Sequence, residues 1–229
     1  PSQSSAASDV YKRQLPNIKE IVSNVKSKSD AIFILDGAQL VPHRFVDVQD
    51  LGIDFLCVSG HKMLGPTGIG VVWGRKELWD SMDPVYGGGD MIEEVYYDKA
   101  TWAPVPHKFE AGTPPFVEAI GLGVAAEYLM NITMSEVQQH SDSLREYAKS
   151  KLENIDGLNV IHSISKNAGC TFAMSVEGAH AADISLMLDT YGVAVRAGHH
   201  CVQPFHRKLK LDATFRATGY IYNLSLIHI

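Results

Sequence analysis

Residues 58–70 read VSGHKMLGPTGIG and place one lysine, Lys62, in a glycine-rich connection between two apolar runs. Both runs are short and apolar, as expected for strands inside a sheet that is covered on both faces. The letters GPTG at 65–68 are a turn signal between the runs. The stretch therefore predicts two neighbouring buried strands, over 54–58 and 69–73, that hold Lys62 on the connection between them.

Around this stretch the pattern continues as an α/β alternation. Apolar residues at helical spacing predict a helix over 17–28, and a β-rich run predicts a strand over 31–35. Downstream, a short helix is predicted over 75–82, followed by long loops at 86–90 and 102–106. These elements indicate an α/β domain with a mainly parallel sheet and helices.

Regular helices and strands predict a small α+β domain in the second half of the chain. A helix over 135–154 has Ser135 as a candidate N-cap, and Gly192 is placed to end a later helix in a left-handed conformation. The other predicted elements are helices over 117–130 and 181–189 and strands over 158–161, 171–176 and 193–196.

The two ends of the chain are related through the genetic code. Residues 9–14, DVYKRQ, can be encoded by GATGTGTATAAGAGACAG, and the reverse complement of that DNA encodes LSLIHI, residues 224–229. Such an inverted pair resembles the end of a transposon used to fragment DNA for sequencing. We therefore expect tails of non-native origin at 1–14 and 224–229, a large domain over 15–118 and a small domain over 119–223.

Charge and composition argue against several classes of function. The net charge of -6 leaves no broad basic surface, so no nucleic-acid partner is expected. No apolar run approaches the length of a membrane span, so no membrane partner is expected either. Three cysteines do not suggest a secreted disulfide framework. We expect a reducing compartment, the cytoplasm, in which one thiol stays free to react.

Lys62 is the first candidate reactive residue. A lysine that forms a Schiff base must lose its proton readily, which an apolar site and a neighbouring cation both favour. Lys62 follows His61 and is flanked by glycines that permit close approach of the backbone. On local features alone, a loop lysine is more often a solvated charge. A phosphate-binding P-loop is a weaker alternative, because the Gly-Lys-Ser/Thr ending is missing.

Asp36 and Gln39 follow the first predicted strand, at the end where open α/β sheets present residues to a ligand. A carboxylate there can keep the pyridine nitrogen of pyridoxal phosphate (PLP) protonated, and an amide can donate to the phenolic oxygen. The alternative is an ordinary turn acid, because Asp-Gly is a common turn pair. Only the combination with Lys62 favours the cofactor role.

Cys201 is the third candidate reactive residue. It lies next to His199 and His200 and follows Arg196, and nearby positive charge favours a thiolate. Zinc binding is the alternative, with His206 as a further ligand. We expect no metal site, because adjacent histidines splay apart and no second Cys/His pair follows at zinc spacing. The other two thiols, at positions 57 and 170, are expected to be buried and inert.

Together these motifs resemble the class V, fold-type I PLP enzymes, specifically the Suf-type cysteine desulfurases, which are related to selenocysteine lyase. The motifs are DGAQ at 36–39, SGHK at 59–62 followed by GPTG at 65–68, and RAGHHCVQP at 196–204. The resemblance covers residues 15 to 223 and matches the C-terminal half of such an enzyme. It implies part of the fold-type I large domain, mainly a parallel sheet with helices, followed by a small α+β domain.

The resemblance implies PLP as the cofactor and a catalytic role for Lys62, with His61 beside it. Lys62 carries PLP and shuttles protons. Asp36 pairs with the pyridine nitrogen, Gln39 with the phenolic oxygen, and Ser59 and His61 bind the phosphate.

The resemblance also implies substrate and subunit contacts. Arg216, in FRA at 215–217, resembles the arginine that binds the substrate carboxylate, with Arg196 nearby. Thr113 resembles the residue that reaches the phosphate of the neighbouring subunit's cofactor, which implies a homodimer. The residues TGYI at 218–221 depart from the usual sequence of the family at this point.

The implied reaction converts L-cysteine to L-alanine and leaves a persulfide on Cys201. Its sulfur would pass to a Suf-type acceptor protein for iron–sulfur cluster assembly. Two other functions stay open: selenocysteine lyase, whose motifs overlap, and a non-catalytic interaction module that kept the fold. The family's N-terminal half normally supplies further PLP contacts, so this fragment is expected to be inactive without it.

Overall fold

A computed structural model of the chain describes residues 17–161 and 169–223. The tails predicted at 1–14 and 224–229 lie outside these residues. The described residues form two compact units. The first unit contains 19–42 and 46–131, and the second contains 43–45, 132–161 and 169–223. The units divide mainly between residues 131 and 132, and the domain limits 15–118 and 119–223 stay a prediction.

The first unit alternates helices with short strands before its long last helix. Its sheet has the order β1-β2-β3. The elements are α1 (Ile18–Lys26), β1 (Ile34–Asp36), α2 (Val48–Leu51), β2 (Phe55–Ser59), a 3-10 helix (Gly60–Met63), β3 (Gly70–Gly74), α3 (Lys76–Ser81), β4 (Ile92–Val95), β5 (Ala100–Trp102), a second 3-10 helix (His107–Phe109) and α4 (Phe116–Ile132).

The sheet of the first unit carries both strand directions. β1 and β2 pair in parallel, with Asp36 opposite Cys57, and β2 and β3 pair antiparallel, with Ser59 opposite Gly70. The turn predicted at 65–68 returns the chain beside β2, which makes the second pairing antiparallel. The α/β class is confirmed, and within the described residues one of the two pairings is parallel.

β3 is more exposed than the sequence predicted. The expectation that it is covered on both faces is wrong for the described residues, where Val71, Val72 and Trp73 are 49%, 51% and 37% exposed. β3 is an edge strand of the three-stranded sheet, so in the described residues it pairs with a strand on one side only. Its apolar composition therefore exceeds what the described surroundings require.

A hairpin lies between the two stretches that were predicted as long loops, 86–90 and 102–106. β4 and β5 pair antiparallel with an irregular register, and Ile92 lies opposite Trp102. The backbone N–H of Glu94 donates to Thr101 Oγ1 at 3.1 Å, next to the irregularity. Because the glutamates of β4 interrupt an apolar pattern, the hairpin gave no clear strand signal in the sequence.

The second unit is a four-stranded sheet with helices. Its strands are all antiparallel and have the order β6-β7-β9-β8. The elements are α5 (Met134–Leu152), β6 (Leu158–Ile161), β7 (Thr171–Val176), α6 (Ala181–Thr190), β8 (Arg196–Gly198), α7 (Gln203–Leu209) and β9 (Thr214–Thr218). The core brings together Leu144, Cys170, Phe172, Met174, Ala181 and Phe215.

Several predicted boundaries in the second unit are corrected. The N-cap of α5 is Thr133, whose hydroxyl accepts from the N–H of Glu136, and not Ser135. β8 begins at Arg196 and not at Val193, because the N–H of Val193 still bonds to the end of α6 at the Leu188 carbonyl. The helix α7 and the strand β9 were not predicted at all.

Helix α4 is apolar on two sides. Leu122, Ala125 and Leu129 are buried, whereas Ile120 and Val124 are 69% and 61% exposed. Within the described residues, no single helix is long and apolar enough to cross a membrane. Among the described helices, only α4 and α5 taken together reach the length and apolar composition of a membrane span.

Candidate active site

The first group of candidate residues lies at one edge of the β1–β2 pair. Because these strands are parallel, their carboxyl ends meet at the same edge of the sheet. Asp36 is the last residue of β1, and Ser59 is the last residue of β2. The 3-10 helix that follows β2 carries His61 and Lys62. The fold thus brings an acid, a hydroxyl, an imidazole and an amine to one edge.

Asp36 is exposed, and Gln39 is half-buried three residues later. The Asp36 carboxylate accepts a hydrogen bond from the N–H of Ala38 at 3.0 Å, so it also serves the turn that its sequence predicts. Burial raises the pKa of the Cys57 thiol, and the Asp36 charge raises it further. The Asp36 carboxylate is therefore exposed, and its charge still acts on Cys57 of the neighbouring strand.

The loop that carries Lys62 is closed by glycines. The N–H of Gly60 donates to the Ile69 carbonyl, and the N–H of Gly65 donates to the Gly60 carbonyl, both at 3.0 Å. A Cβ at Gly60 would lie 2.9 Å from the Ile69 oxygen, and a Cβ at Gly65 would lie 2.9 Å from the Gly60 oxygen. Side chains at these positions would force the loop apart, which explains the glycines around Lys62.

Lys62 has no hydrogen bond or ion pair with any described residue, and its side chain is half-buried. Beside it, Ser59 Oγ and His61 Nδ1 are 3.1 Å apart, within hydrogen-bond distance. An unpaired amine next to a hydroxyl–imidazole pair is a group that a ligand can engage. The local reading of Lys62 as a fully solvated charge does not fit its partial burial.

These residues fit PLP as a cofactor. The set offers an exposed carboxylate for a pyridine nitrogen, polar hydrogens for a phosphate, and an amine that is unpaired among the described residues for covalent attachment. Thr113 lies apart from this edge in the chain, in an exposed loop that the Gly112–Gly89 hydrogen bond ties down. Whether Thr113 reaches a second subunit stays a prediction.

The second group of candidate residues lies on β8 and β9. Arg196 and Arg216 are directly opposite each other across the two antiparallel strands. Neither forms an ion pair with an acid among the described residues. Burial and the charge of Arg196 lower the pKa of Arg216, and the nearby Cys201 opposes this shift. Two cations on one face form a site that attracts anions.

Cys201 lies in the loop between β8 and α7 and is exposed. Its φ is 65°, and that of His200 is 51°, so two consecutive residues other than glycine adopt the left-handed conformation. Such backbone strain concentrates at functional sites. Cys170 is buried as predicted, whereas Cys57 is half-buried and not fully enclosed. Cys201 is therefore the most exposed of the three thiols.

The adjacent histidines next to Cys201 differ in burial, and the rings of both lie near the ring of His206, at 5.5 and 6.2 Å between centroids. His199 is exposed, whereas His200 is 4% exposed, and neither of its ring nitrogens has a hydrogen-bond partner of normal geometry among the described residues. Burial and the charge of Arg216 lower the pKa of His200 to about 4, against a weak contact with the Thr214 main chain that raises it. His200 is therefore a neutral imidazole at neutral pH.

Sequence reasoning considered His206 only as a possible zinc ligand and did not identify Thr214 as part of this group. His206 is 1% exposed, and its Nε2 lies 3.1 Å from Thr214 Oγ1, while its Nδ1 lies 3.2 Å from the Val202 carbonyl. These bonds tie α7 to β9 beneath the Cys201 loop. In the described residues, no three His, Cys, Asp or Glu side chains are arranged to hold a metal ion.

Each group is brought together within its own unit. Asp36, Gln39, Ser59, His61 and Lys62 belong to the first unit, and the Cys201 group belongs to the second. The signal for the first group was the position of motifs at strand ends. The signal for the second was the motif itself, because the strand that carries Arg216 was not predicted.

The chain is similar in sequence to proteins named as cysteine desulfurases. It is 45% identical over 202 residues to a probable cysteine desulfurase of Halobacterium salinarum, covering 88% of this chain and 49% of the relative. It is 43% identical over 206 residues to a cysteine desulfurase of Haloferax volcanii, covering 90% and 48%. The chain thus spans about half the length of the curated relatives it matches.

The structure is similar to a crystal structure of the cysteine desulfurase CsdA from Escherichia coli. The TM-score is 0.87 at 35% sequence identity, and the match covers 94% of this chain and 53% of that one. A profile of the family described as Aminotransferase class-V matches residues 14–225, which is most of the chain. The chain therefore belongs to the class-V aminotransferase family.

Proposed function

We propose that this chain is part of a PLP-dependent cysteine desulfurase that converts L-cysteine to L-alanine and holds the removed sulfur as a persulfide on Cys201. One observation carries the proposal. The chain combines a half-buried Lys62 amine, unpaired among the described residues, with an exposed Cys201 thiol near two arginines. Similarity to relatives that are named as cysteine desulfurases supports the choice of substrate.

The first group of residues holds the cofactor. Asp36 keeps the pyridine nitrogen protonated, Gln39 donates to the phenolic oxygen, and Ser59 and His61 donate to the phosphate. Lys62 attaches the cofactor covalently. Once its amine is free, that amine moves the α-proton of the substrate. When bound, PLP supplies an electron sink that makes the α-proton of an attached amino acid acidic.

The second group binds the substrate and takes its sulfur. Arg216, with Arg196 beside it, accepts the substrate carboxylate in a planar, charge-assisted arrangement. The Cys201 thiolate then attacks the substrate sulfur, so that a sulfur–sulfur bond forms while the carbon–sulfur bond breaks. The electron pair of the broken bond stays with the carbon skeleton, which takes up a proton and leaves as alanine.

Further parts of the proposal concern assembly and the fate of the sulfur. The persulfide sulfur passes to a Suf-type acceptor protein for iron–sulfur cluster assembly, and Thr113 reaches the cofactor phosphate of a second subunit in a homodimer. Three thiols that form no disulfide agree with a cytoplasmic location. We expect the 229-residue chain alone to be inactive, since it spans about half of its relatives.

A hybrid protein tests the cofactor role. Residues 15–223 replace the matching half of the Halobacterium salinarum relative, and the hybrid is loaded with PLP. Borohydride reduction followed by peptide mass spectrometry is expected to find the cofactor on Lys62, and Lys62→Ala is expected to lose it. If no PLP is trapped on Lys62, the chain is better explained as a non-catalytic interaction module.

The same hybrid tests the reaction. With L-cysteine it is expected to release alanine and to form a persulfide on Cys201. A Cys201→Ser variant should still trap PLP on Lys62 but lose the persulfide, and full sulfur transfer by that variant would show that the role given to Cys201 is wrong. Turnover of L-selenocysteine without turnover of L-cysteine would identify a selenocysteine lyase instead.

A further inference from the structure

A groove with cationic and polar side chains lies beside Cys201. It measures about 490 Å³, and its lining residues are Arg196, Ala197, His199, His200, Cys201, Gln203 and Pro204. The side chain of Arg216 stands directly opposite Arg196 on the next strand. Directly opposite residues of antiparallel strands share one face and lie about 5 Å apart at Cβ. Two guanidinium groups are therefore presented together near an exposed thiol.

Neither arginine has an acidic partner in the part of the chain that the structure describes. A like-charged pair on opposed strands is unfavourable by itself, and an anion bound between the two groups removes that cost. Planar guanidinium forks match the oxygens of a carboxylate, a phosphate or a sulfonate group. The charge of the pair thus selects an oxyanion and leaves its chemistry open.

His200 adds a third hydrogen-bonding side chain to the two arginines. Its side chain is 4% exposed and lines the groove, yet both ring nitrogens lack a hydrogen-bond partner of normal geometry among the described residues. A neutral imidazole has one N–H to donate and adds no charge. Buried polar groups in native proteins are normally paired, so the ring nitrogens of this imidazole can form hydrogen bonds with a ligand. The groove therefore offers guanidinium and imidazole donors beside one sulfur nucleophile.

We propose that this groove binds thiosulfate through its sulfonate oxygens and that Cys201 takes the outer sulfur, which gives the chain a thiosulfate:thiol sulfurtransferase activity. Arg196, Arg216 and His200 hold the sulfonate group, so that the outer sulfur faces the thiol. This activity is separate from the desulfurase reaction, because it uses neither PLP nor an amino acid.

The step balances without an added oxidant or reductant. The Cys201 thiolate attacks the outer sulfur of thiosulfate, and a sulfur–sulfur bond forms between them. The bond between the outer sulfur and the sulfonate sulfur breaks, and its electron pair leaves with sulfite. The products are one cysteine persulfide and one sulfite ion for each thiosulfate consumed. The arginines stabilise the sulfite that leaves as a dianion.

The 229-residue chain itself provides the test, in buffer without PLP or cysteine. Incubation with thiosulfate is expected to release sulfite and to add one sulfur atom to Cys201, as located by peptide mass spectrometry. Arg196→Gln and Arg216→Gln are each expected to slow sulfite release by about tenfold, the effect of losing one charge-assisted bond. Arg207→Gln, a matched change at an exposed arginine of α7, should leave the rate unchanged.

Alkylation of Cys201 by neutral iodoacetamide separates a binding effect from a folding effect. Measured at a pH high enough to ionise the Cys201 thiol in every variant, it should proceed at similar rates in wild type and in all three arginine variants. If Arg216→Gln unfolds, Arg196→Gln still decides, because Arg196 is exposed. The proposal is overturned if Cys201 gains no sulfur, or if Arg196→Gln and Arg207→Gln transfer sulfur equally fast. Neither result bears on the desulfurase reaction, which is measured separately with L-cysteine in the hybrid.

Discussion

Replacing Asp54 with asparagine is expected to destabilise the first unit, whose sheet carries Lys62 at one edge. Asp54 is 3% exposed and lies just before β2. Its carboxylate accepts from Lys26 Nζ at 2.9 Å, from Arg75 at 3.2 Å and from the N–H of Phe33 at 2.8 Å. The bond to Phe33 reinforces the two main-chain bonds from Asp54 and Phe55 to the Phe33 carbonyl, which fix the start of β1 beside β2.

The expected loss in the free energy of unfolding follows from the ion pairs that the substitution removes. Breaking a fully buried ion pair costs about 3–5 kcal/mol, because it leaves an uncompensated charge. Here the side chains of Lys26 and Arg75 are 32% and 49% exposed, so water partly replaces the lost carboxylate. The amide oxygen of asparagine still accepts from Phe33. We therefore expect a loss of about 2 kcal/mol in the free energy of unfolding at pH 7.

The effect should depend on pH in a defined direction. Burial acts to raise the pKa of Asp54, but the Phe33 N–H and the cations of Lys26 and Arg75 outweigh it and lower the pKa below its usual value. Asp54 therefore stabilises the fold above its unfolded pKa of about 3.9. That contribution is lost as the pH falls through the lower folded pKa. The difference between wild type and Asp54→Asn should shrink as the pH falls below about 4.

Urea unfolding followed by tryptophan fluorescence measures this effect in the right unit. All three tryptophans, at 73, 79 and 102, lie in the first unit, and Trp79 packs against Phe55 of β2 at 4.9 Å between ring centroids. Asp50→Asn is the control, because its ion pair with Lys19 is exposed and should contribute less than about 1 kcal/mol. Equal losses for Asp54→Asn and Asp50→Asn would refute the reasoning.

Three further predictions follow from the site residues. Gly65→Ala should displace the Lys62 loop and reduce borohydride trapping of PLP in the hybrid, whereas Gly123→Ala, whose Cβ meets no atom within 4 Å, should not. Iodoacetamide should modify Cys201 before Cys57, whose thiol pKa is raised, and should reach the buried Cys170 only after unfolding, as mass spectrometry can show. Because the pKa of His200 is lowered to about 4, the unfolded chain takes up a proton first as the pH falls. Circular dichroism should show the second unit losing at most about 1.4 kcal/mol per pH unit between pH 6.5 and 4, and losing less in His200→Gln.

The sequence predicted those parts of the fold whose local pattern and packing agree. Strands β6 and β7 begin and end at the predicted residues, and α3 lies within its predicted range. The hairpin β4–β5 was missed because its glutamates give no apolar alternation. The edge position of β3 was missed because apolar composition reports what a strand is suited to contact, and not what covers it in this chain.

The most consequential miss is β9, and its sequence shows why. Along TFRAT at 214–218, Phe215 and Ala217 pack against the core of the second unit. Arg216 points to the opposite face and lies opposite Arg196 of the neighbouring strand β8. A charged residue in a central position argues against a strand when only local preference is considered. The proposed anion binding would offset the cost of the paired charges in the sheet. The arginine that obscured β9 in the sequence is therefore the residue to which we assign substrate and thiosulfate binding, since natural proteins break local rules mainly at functional sites.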